Sequence, residues 1–444
     1  MYDGLKGFRD FYPGEQSARR EVTDAIEGAA SRYGFREIAT PALERTEMYT
    51  DKSGEEIVEE LYAFEDKGGR GVSLTPELTP TVARMVVAKG QELSKPIKWV
   101  STRPFWRYEQ VQQGRFREFY QTNIDVFGSS APEADAEVLA VAADALTDLG
   151  LTADDFEFRV SHRDILGGLV RALADDPDAV DTEAAIRAVD KRAKVDDGEY
   201  VGLLSDAGLD RATAREFDDL ISGVETVDDL DAVAAAGDES VEDAVENLRN
   251  VLAAADDFGA GEFCEVSLTT ARGLDYYTGV VFECFDSTGE VSRSVFGGGR
   301  YDDLIESFGG QPTPAVGVAP GHATLKLLCQ RAGVWPEEEL TTDYYVLSVG
   351  DTRGEAAALA RDLRALGDDV VVEQDVSDRS FGAQLGYADS INADTVVVVG
   401  ERDLENGEYT VKDMASGDET TVPVEEFPPA PGDGRGLPAY EDYE

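Results

Sequence analysis

Asp and Glu outnumber Lys and Arg by 91 to 40, and the resulting formal charge of −51 at pH 7 constrains this chain more than any other feature. Like charges at that density push a compact state apart in dilute buffer. At molar salt the Debye length shrinks to about 3 Å and the repulsion fades. The composition therefore predicts a protein adapted to a very saline cytoplasm, and it says little about partners. A partly disordered acidic chain is the alternative, but apolar periodicity persists along most of the 444 residues and hydrophobic content is 42%. The run Met1 to Asp10 has no basic head leading into an apolar stretch. No apolar run reaches the roughly 18 residues that span a bilayer. We expect a cytoplasmic chain with no membrane partner. Cys264, Cys284 and Cys329, with His162 and His322, lie scattered without metal-ligand spacing, which argues against structural zinc and a disulfide framework.

The length predicts two or three domains. Gln16 to Tyr33 carries apolar residues at helical spacing and ends at Gly34; Phe35 to Thr40 reads as a short strand closed by Pro41. Ile97 to Ser101 and Phe116 to Phe127 are strand-like, and the polar run Gln112-Gln113-Gly114 between them reads as the turn of a long hairpin. Ala131 to Leu149 predicts a helix, and Phe156 to Val160 a half-buried strand. From Arg163 to Phe258 the texture changes to Asp, Ala and helix-period apolar residues, as at Val241, Ala244, Val245 and Leu248; this predicts a helical insertion interrupting a larger domain. Strand character returns at Cys264 to Leu268 and Val280 to Phe285, ahead of the cluster Gly297-Gly298-Gly299. Beyond Trp335-Pro336, strands at Tyr344 to Val349, Val370 to Glu373 and Thr395 to Val399 alternate with helices at Gly354 to Leu366 and Phe381 to Asn392. A hairpin at Tyr409 to Val422 turns at Ser416-Gly417. That alternation predicts a small α/β domain with a largely parallel sheet. Residues 428–444, rich in Pro, Gly and acids, predict a disordered acidic tail.

Against this background Lys95 to Arg117 stands out, with Lys95, Lys98, Arg103, Arg107, Arg115 and Arg117 facing a single acid, Glu109. Positive charge concentrated in an acidic protein implies an anionic ligand, phosphate or RNA; on charge alone a solvated basic strand edge fits equally well. Arginine suits a phosphate that must be gripped by a planar fork.

The segment Phe105-Trp106-Arg107-Tyr108-Glu109, Gln112 to Phe119, Gln121, Asp125 and Phe127-Gly128 resembles motif 2 of class II aminoacyl-tRNA synthetases, in its histidyl-tRNA synthetase form. Tyr33 to Ile38 with Thr40-Pro41 and Leu43-Glu44 resembles motif 1, which implies a homodimer. Leu74 to Thr79 resembles the loop that holds the substrate's amino group. Arg272-Gly273-Leu274-Asp275-Tyr276-Tyr277, with Thr278-Gly279 and Phe282-Glu283, resembles the first histidine-specific signature; Gly297 to Asp302, Gly309-Gly310 and Pro314 to Gly317 resemble the second. A lone Gly-Gly-Gly-Arg would be a flexible turn, but matched motifs in order from Tyr33 to Gly317 are specific. The resemblance implies an α/β enzyme. Its catalytic domain, on an antiparallel sheet, would span residues 1–160 and 259–332. The helical insertion would span 161–258 and an anticodon-binding α/β domain 338–427.

The implied activity is ATP-dependent ligation of L-histidine to tRNA(His) through histidyl-adenylate, with Mg2+ accompanying ATP. By resemblance, Arg107 holds the α-phosphate, and Arg272 touches both the α-phosphate and the histidine carboxylate where related enzymes use a metal. A buried ion pair of Arg272 with Asp275 or Glu283 is the alternative. Glu109 and Arg115 join Arg107 on ATP. Glu77, Thr79 and Gln121 would take the ammonium and Asp125 and Tyr277 would read the ring nitrogens, with Leu78 and Tyr276 also lining the histidine site. Gln112, Gln113 and Gly114 face the tRNA acceptor. Taken alone, Tyr276 and Tyr277 would be core aromatics, and Glu77 a helix N-terminal acid. No residue is singled out as a metal ligand, and no general base is evident.

Two positions depart from the pattern. Asp125 stands where bacterial members carry Glu, which implies an imidazole contact through water. Thr324, in Gly321-His322-Ala323-Thr324-Leu325, replaces the arginine that ends motif 3, so ATP would be held by Arg115 and magnesium, or less tightly. His322 reads as a packed histidine. This gap keeps open a histidine-sensing regulatory subunit of ATP phosphoribosyltransferase, although such proteins lack the anticodon domain and degrade the Arg272 to Tyr277 block. The same block disfavours another class II specificity. Neither a Lys-Met-Ser-Lys-Ser loop nor a Gly-Lys-Ser/Thr phosphate loop is present.

Overall fold

The computed structural model describes residues 2–50, 58–271, 276–337 and 340–427. By contact the chain divides into two compact units: one holds Ala18–Pro336 with the residues before Tyr12, the other Glu337 onward together with Tyr12–Ser17. Among the described residues no helix is long and apolar enough to cross a membrane.

The strands of the first unit are β1 (Arg36–Glu37), β2 (Leu43–Arg45), β3 (Ala63–Glu65), β4 (Gly71–Leu74), β5 (Ile97–Trp106), β6 (Glu118–Phe127), β7 (Phe156–His162), β8 (Cys264–Val266), β9 (Val280–Asp286), β10 (Phe296–Arg300) and β11 (Ala315–Val318). Eight of them form one sheet in the order β1-β5-β6-β11-β10-β9-β7-β8. Its internal pairings are antiparallel, and only the edge strands β1 and β8 run parallel to their neighbours. The pleat of the extended chain sends alternate side chains to opposite faces. Ile97, Phe105 and Phe127 accordingly join one apolar cluster, while Val100, Ile124 and Val126 join another. The sheet is buried on both faces.

The predicted hairpin is β5 and β6, paired without interruption from Ile97↔Phe127 to Trp106↔Glu118. The strand expected at Phe35 to Thr40 is shorter, only Arg36–Glu37, although Ile38 N still donates to Val100 O at 2.9 Å. The Gly297-Gly298-Gly299 run is no flexible turn; it is the middle of β10, buried throughout. A β-carbon on Gly298 would stand 2.2 Å from the Gly317 carbonyl oxygen and 2.7 Å from Phe282 Cζ, so the strands pack too closely there for any side chain.

Between β7 and β8 the chain runs through helices Arg163–Leu173, Thr182–Lys191, Asp197–Asp206, Arg211–Ser222, Leu230–Ala236 and Glu239–Asp257. It leaves and rejoins the same sheet, since β7 pairs with both β8 and β9. Part of the acid excess serves as helix caps: Asp181, Asp196, Asp210 and Asp238 each accept backbone N–H bonds from the first turn that follows. Ile165, Leu166, Val245 and Leu248 of these helices share one continuous core with Leu139, Phe158 and Val160. A small sheet, β2-β4-β3, and the helix Thr79–Lys89 were not anticipated from the sequence.

The second unit carries β12 (Thr342–Val349), β13 (Val372–Gln374), β14 (Ala393–Gly400), β15 (Glu408–Asp413) and β16 (Glu419–Pro423), ordered β13-β12-β14-β15-β16. β13, β12 and β14 are parallel, and the terminal hairpin adds two antiparallel strands. Helices Arg353–Arg364 and Phe381–Ser390 match the predicted ones; Glu401–Asn406 is an additional short helix. The tail predicted at 428–444 lies outside the described residues.

Candidate active site

The β5–β6 register decides which side chains meet. Arg103 lies opposite Gln121, Ser101 opposite Asn123, and Trp99 opposite Asp125, so these residues share the sheet face that carries Phe105, Phe119 and Phe127. Asp125 is buried, 2% exposed, and its Oδ1 accepts a 2.5 Å hydrogen bond from the Tyr301 hydroxyl. Burial raises its carboxyl to about 7, against the partial relief that Tyr301 gives. Gln121 Nε2 donates to Asn123 Oδ1 at 2.9 Å.

A second carboxylate, Glu77, is also buried, at 4% exposed, and its Oε2 accepts from the Tyr276 hydroxyl at 3.1 Å. The Tyr276 ring lies 5.0 Å from that of Tyr277 and 6.0 Å from that of Tyr301. One aromatic wall thus links Glu77 to Asp125. Leu78 is part of the apolar cluster behind this wall, and Thr79 is the buried first residue of the helix Thr79–Lys89.

Arg107 continues from the end of β5. Its Nε donates to Pro76 O at 3.0 Å, which ties the guanidinium to the residue before Glu77, and its Cζ lies 5.6 Å from the Phe119 ring centroid. Trp106 N donates to Thr75 O at 3.1 Å and docks the same segment. Beyond Arg107, Arg115 Nη1 pairs with Glu109 Oε2 at 3.3 Å, and Arg117 Nε donates to Glu109 O at 3.2 Å. The Gln112–Gly114 turn closes on Gly114, at φ +72°, a conformation that favours glycine. Gly7 O accepts from Arg117 N at 2.9 Å and Glu118 N at 3.1 Å, so the N-terminal segment straps this loop, and the Arg9 guanidinium stacks 3.6 Å from the Phe116 centroid.

Of the predicted residues, Glu77, Leu78, Thr79, Gln121, Asp125, Tyr276 and Tyr277 belong to one neighbourhood, and Arg107 is tethered to it. Glu109, Arg115 and Gln112 to Gly114 form the adjoining loop. Arg272 and Asp275 lie outside the described residues. Thr324 does not point into an open site: its Oγ1 donates to Val295 O at 2.5 Å and Gly321 O at 3.0 Å. His322 is buried against Thr122 Oγ1 at 2.9 Å, and burial, followed by the charge of Arg19, lowers it to about 3; it packs as a neutral ring.

The second glycine-rich signature divides its labour. Arg300 is a buried ion pair with Asp135 and also donates to Ser129 O at 3.0 Å, which is structural. Tyr301 serves Asp125. Asp302 accepts from Ala315 N at 3.0 Å. The sequence reading assigned no role to Asn123 or to Arg293, whose Nη1 donates to Gln113 O at 2.9 Å, and named Tyr301 only as part of the second signature. Asn123 could have been found from its two-residue spacing between Gln121 and Asp125. Among the described residues no group of three His, Cys, Asp or Glu could hold a metal ion.

A carboxyl kept uncharged or half-charged by burial, a second carboxylate and an anion-gripping arginine can bind a small zwitterion beside a phosphate. Comparison with known proteins identifies the family. A histidyl-tRNA synthetase family model matches residues 7–325, and an anticodon binding domain model matches residues 343–430. A curated histidine–tRNA ligase of Halorubrum lacusprofundi is 94% identical over 444 residues, covering 100% of both chains. The crystal structure of histidyl-tRNA synthetase from Nostoc sp. superposes with a TM-score of 0.81 at 24% identity, covering 96% of this chain and 97% of that one. A Bacillus halodurans structure titled as an ATP phosphoribosyltransferase regulatory subunit/histidyl-tRNA synthetase gives 0.75 at 22% identity, covering 90% and 98%. At such identities those structures speak for the fold alone.

Proposed function

The chain belongs to the histidyl-tRNA synthetase family, and from that premise we propose how its own residues divide the work. It ligates histidine to tRNA at the expense of ATP. The regulatory-subunit alternative is less supported, because a ligase matches at high identity over the full length.

The observation that carries the assignment is the continuous wall from Arg107 through Pro76–Glu77 and Tyr276–Tyr301 to Asp125. In our reading the histidine ammonium sits toward Glu77, Thr79 and Gln121. Its imidazole sits toward Asp125 and Tyr277, with Leu78 and Tyr276 as walls. A site built to hydrogen-bond a ring N–H rejects analogues that lack it, since its buried polar groups would be left unpaired. Arg107 takes the α-phosphate and Arg115 with Glu109 the rest of the nucleotide. Arg272 bridges α-phosphate and substrate carboxylate. The carboxylate oxygen of histidine forms the new bond to the α-phosphorus as the bond to diphosphate breaks, and the arginines neutralise charge on the phosphoryl oxygens. In the second step a hydroxyl of the terminal ribose attacks the histidyl carbonyl and AMP leaves; orientation by the site serves in place of a dedicated base. Mg2+ bound to ATP would come in as part of the nucleotide substrate and would offset charge on its phosphates. The loop Gln112 to Gly114 meets the acceptor end of the tRNA and the second unit its anticodon. We further propose a homodimer, located in the cytoplasm.

Histidine-dependent exchange of pyrophosphate into ATP, in molar potassium chloride, tests this assignment. Arg107→Ala and Arg272→Ala should each lower the exchange by about a hundredfold or more. Exchange that is independent of histidine, or undiminished in Arg107→Ala, would overturn it.

A further inference from the structure

In a chain with 91 acids and 40 bases, an arginine without a carboxylate partner is conspicuous. Arg293 is one. It lies between β9 and β10, is half-buried, and makes no ion pair among the described residues. Its Nη1 donates to a neutral acceptor, the Gln113 carbonyl, at 2.9 Å. The neighbouring cation is Arg115. Burial and then the like charge of Arg115 lower the Arg293 guanidinium from its ordinary value, while Glu109 pulls the other way. Two guanidinium groups thus share one carboxylate, and that carboxylate already pairs with Arg115 at 3.3 Å. The balance calls for an anion.

The position of Arg293 is built. Val291 N, on one side, donates to Asp286 Oδ2 at 2.8 Å. On the other side, Val295 N donates to Cys284 O at 2.8 Å, and Val295 O receives the Thr324 hydroxyl at 2.5 Å. A β-carbon on Gly114 would stand 3.2 Å from Thr324 Cγ2 and 3.7 Å from Arg293 Nη1. The guanidinium therefore occupies the space beside Thr324, against the tip of the Gln112–Gly114 turn.

We propose that Arg293 is a binding residue for the distal phosphates of ATP, presented by a connection that Thr324 anchors. On nucleotide binding its guanidinium exchanges the Gln113 carbonyl for phosphate oxygens. The Gln113 carbonyl is a neutral acceptor, whereas phosphate oxygens carry charge and match the guanidinium fork, so the exchange is favourable. The inference rests on the reading that Arg107, Glu109 and Arg115 border the nucleotide.

The test is histidine-dependent pyrophosphate exchange in molar potassium chloride with Arg293→Ala and Arg293→Lys. Loss of a charged hydrogen bond should raise the KM for ATP and for pyrophosphate about tenfold or more in Arg293→Ala. Arg293→Lys, which keeps the charge but not the fork, should recover part of that loss. The KM for histidine and inhibition by AMP, which lacks the distal phosphates, should stay at the wild-type values. An unchanged KM for ATP would overturn the proposal, and so would weakening of AMP as large as that of ATP, because it would mean a merely structural role. If Arg107→Ala abolishes exchange while Arg293→Ala leaves the KM for ATP unchanged, only this inference fails. If Arg107→Ala is harmless, the nucleotide assignment fails with it.

Discussion

Gly317 lies directly across the β11–β6 pair from Asp125, and a β-carbon on it would stand 2.2 Å from Asp125 Oδ1. The glycine leaves room for a buried carboxyl on the neighbouring strand of the sheet. Gly317→Ala should push the Asp125 side chain off Tyr301. We predict a raised KM for histidine together with about 1–3 kcal/mol of lost stability, the usual cost of overpacking. Kinetics and thermal melts check both, and a variant with wild-type values for each would contradict the packing argument.

Buried Asp125 should also cost the fold stability. Its folded carboxyl is raised to about 7 from the ordinary carboxylate value of 3.8. The native state holds a proton that the unfolded chain has released, so wild-type stability declines as pH rises through that interval. Asp125→Asn removes the titration. Its Tm advantage over wild type should therefore grow between about pH 5 and about pH 8; an advantage that shrinks toward alkaline pH would refute the burial account.

The opposite sign applies at His322, lowered to about 3 in the fold from 6.5. Here the unfolded chain takes a proton that the native state refuses, so stability present above about pH 6.5 is lost as pH falls. His322→Gln should flatten the acid limb of the Tm profile between about pH 6.5 and about pH 4, relative to wild type. An equally steep limb would show that the ring is not held neutral.

Glu77→Gln keeps an acceptor for Tyr276 and deletes the charge. The KM for histidine should rise about tenfold to a hundredfold, the worth of one hydrogen bond to a charged group, with the KM for ATP unchanged. A change confined to ATP would place Glu77 elsewhere in the site.

Much of this site was legible before any coordinates. The resemblance named Gln121 and Asp125, which the β5–β6 register places on one face, and the helical period from Arg163 to Phe258 predicted the element type found. What was not legible has physical causes. Strands β2 to β4 are short, and β2 and β3 are largely exposed, so no apolar alternation marks them. The glycines of β10 carry no side chain to show a period, and only the proximity of Gly317 and Phe282 explains them. Arg293 sits in a connection far in sequence from Gln113, and nothing local announces that the two meet. The departure at Thr324 was visible, but its effect was not, because its hydroxyl works on the loop that carries Arg293.

The central claim is that Asp125 and its tyrosine wall read the imidazole. Its most direct test is pyrophosphate exchange driven by a panel of amino acids in molar potassium chloride, comparing wild type with Asp125→Ala. We predict that histidine alone supports exchange in the wild type, and that kcat/KM for histidine falls about a hundredfold or more in the variant with the KM for ATP unchanged. Retention of wild-type kcat/KM for histidine by Asp125→Ala would contradict the account.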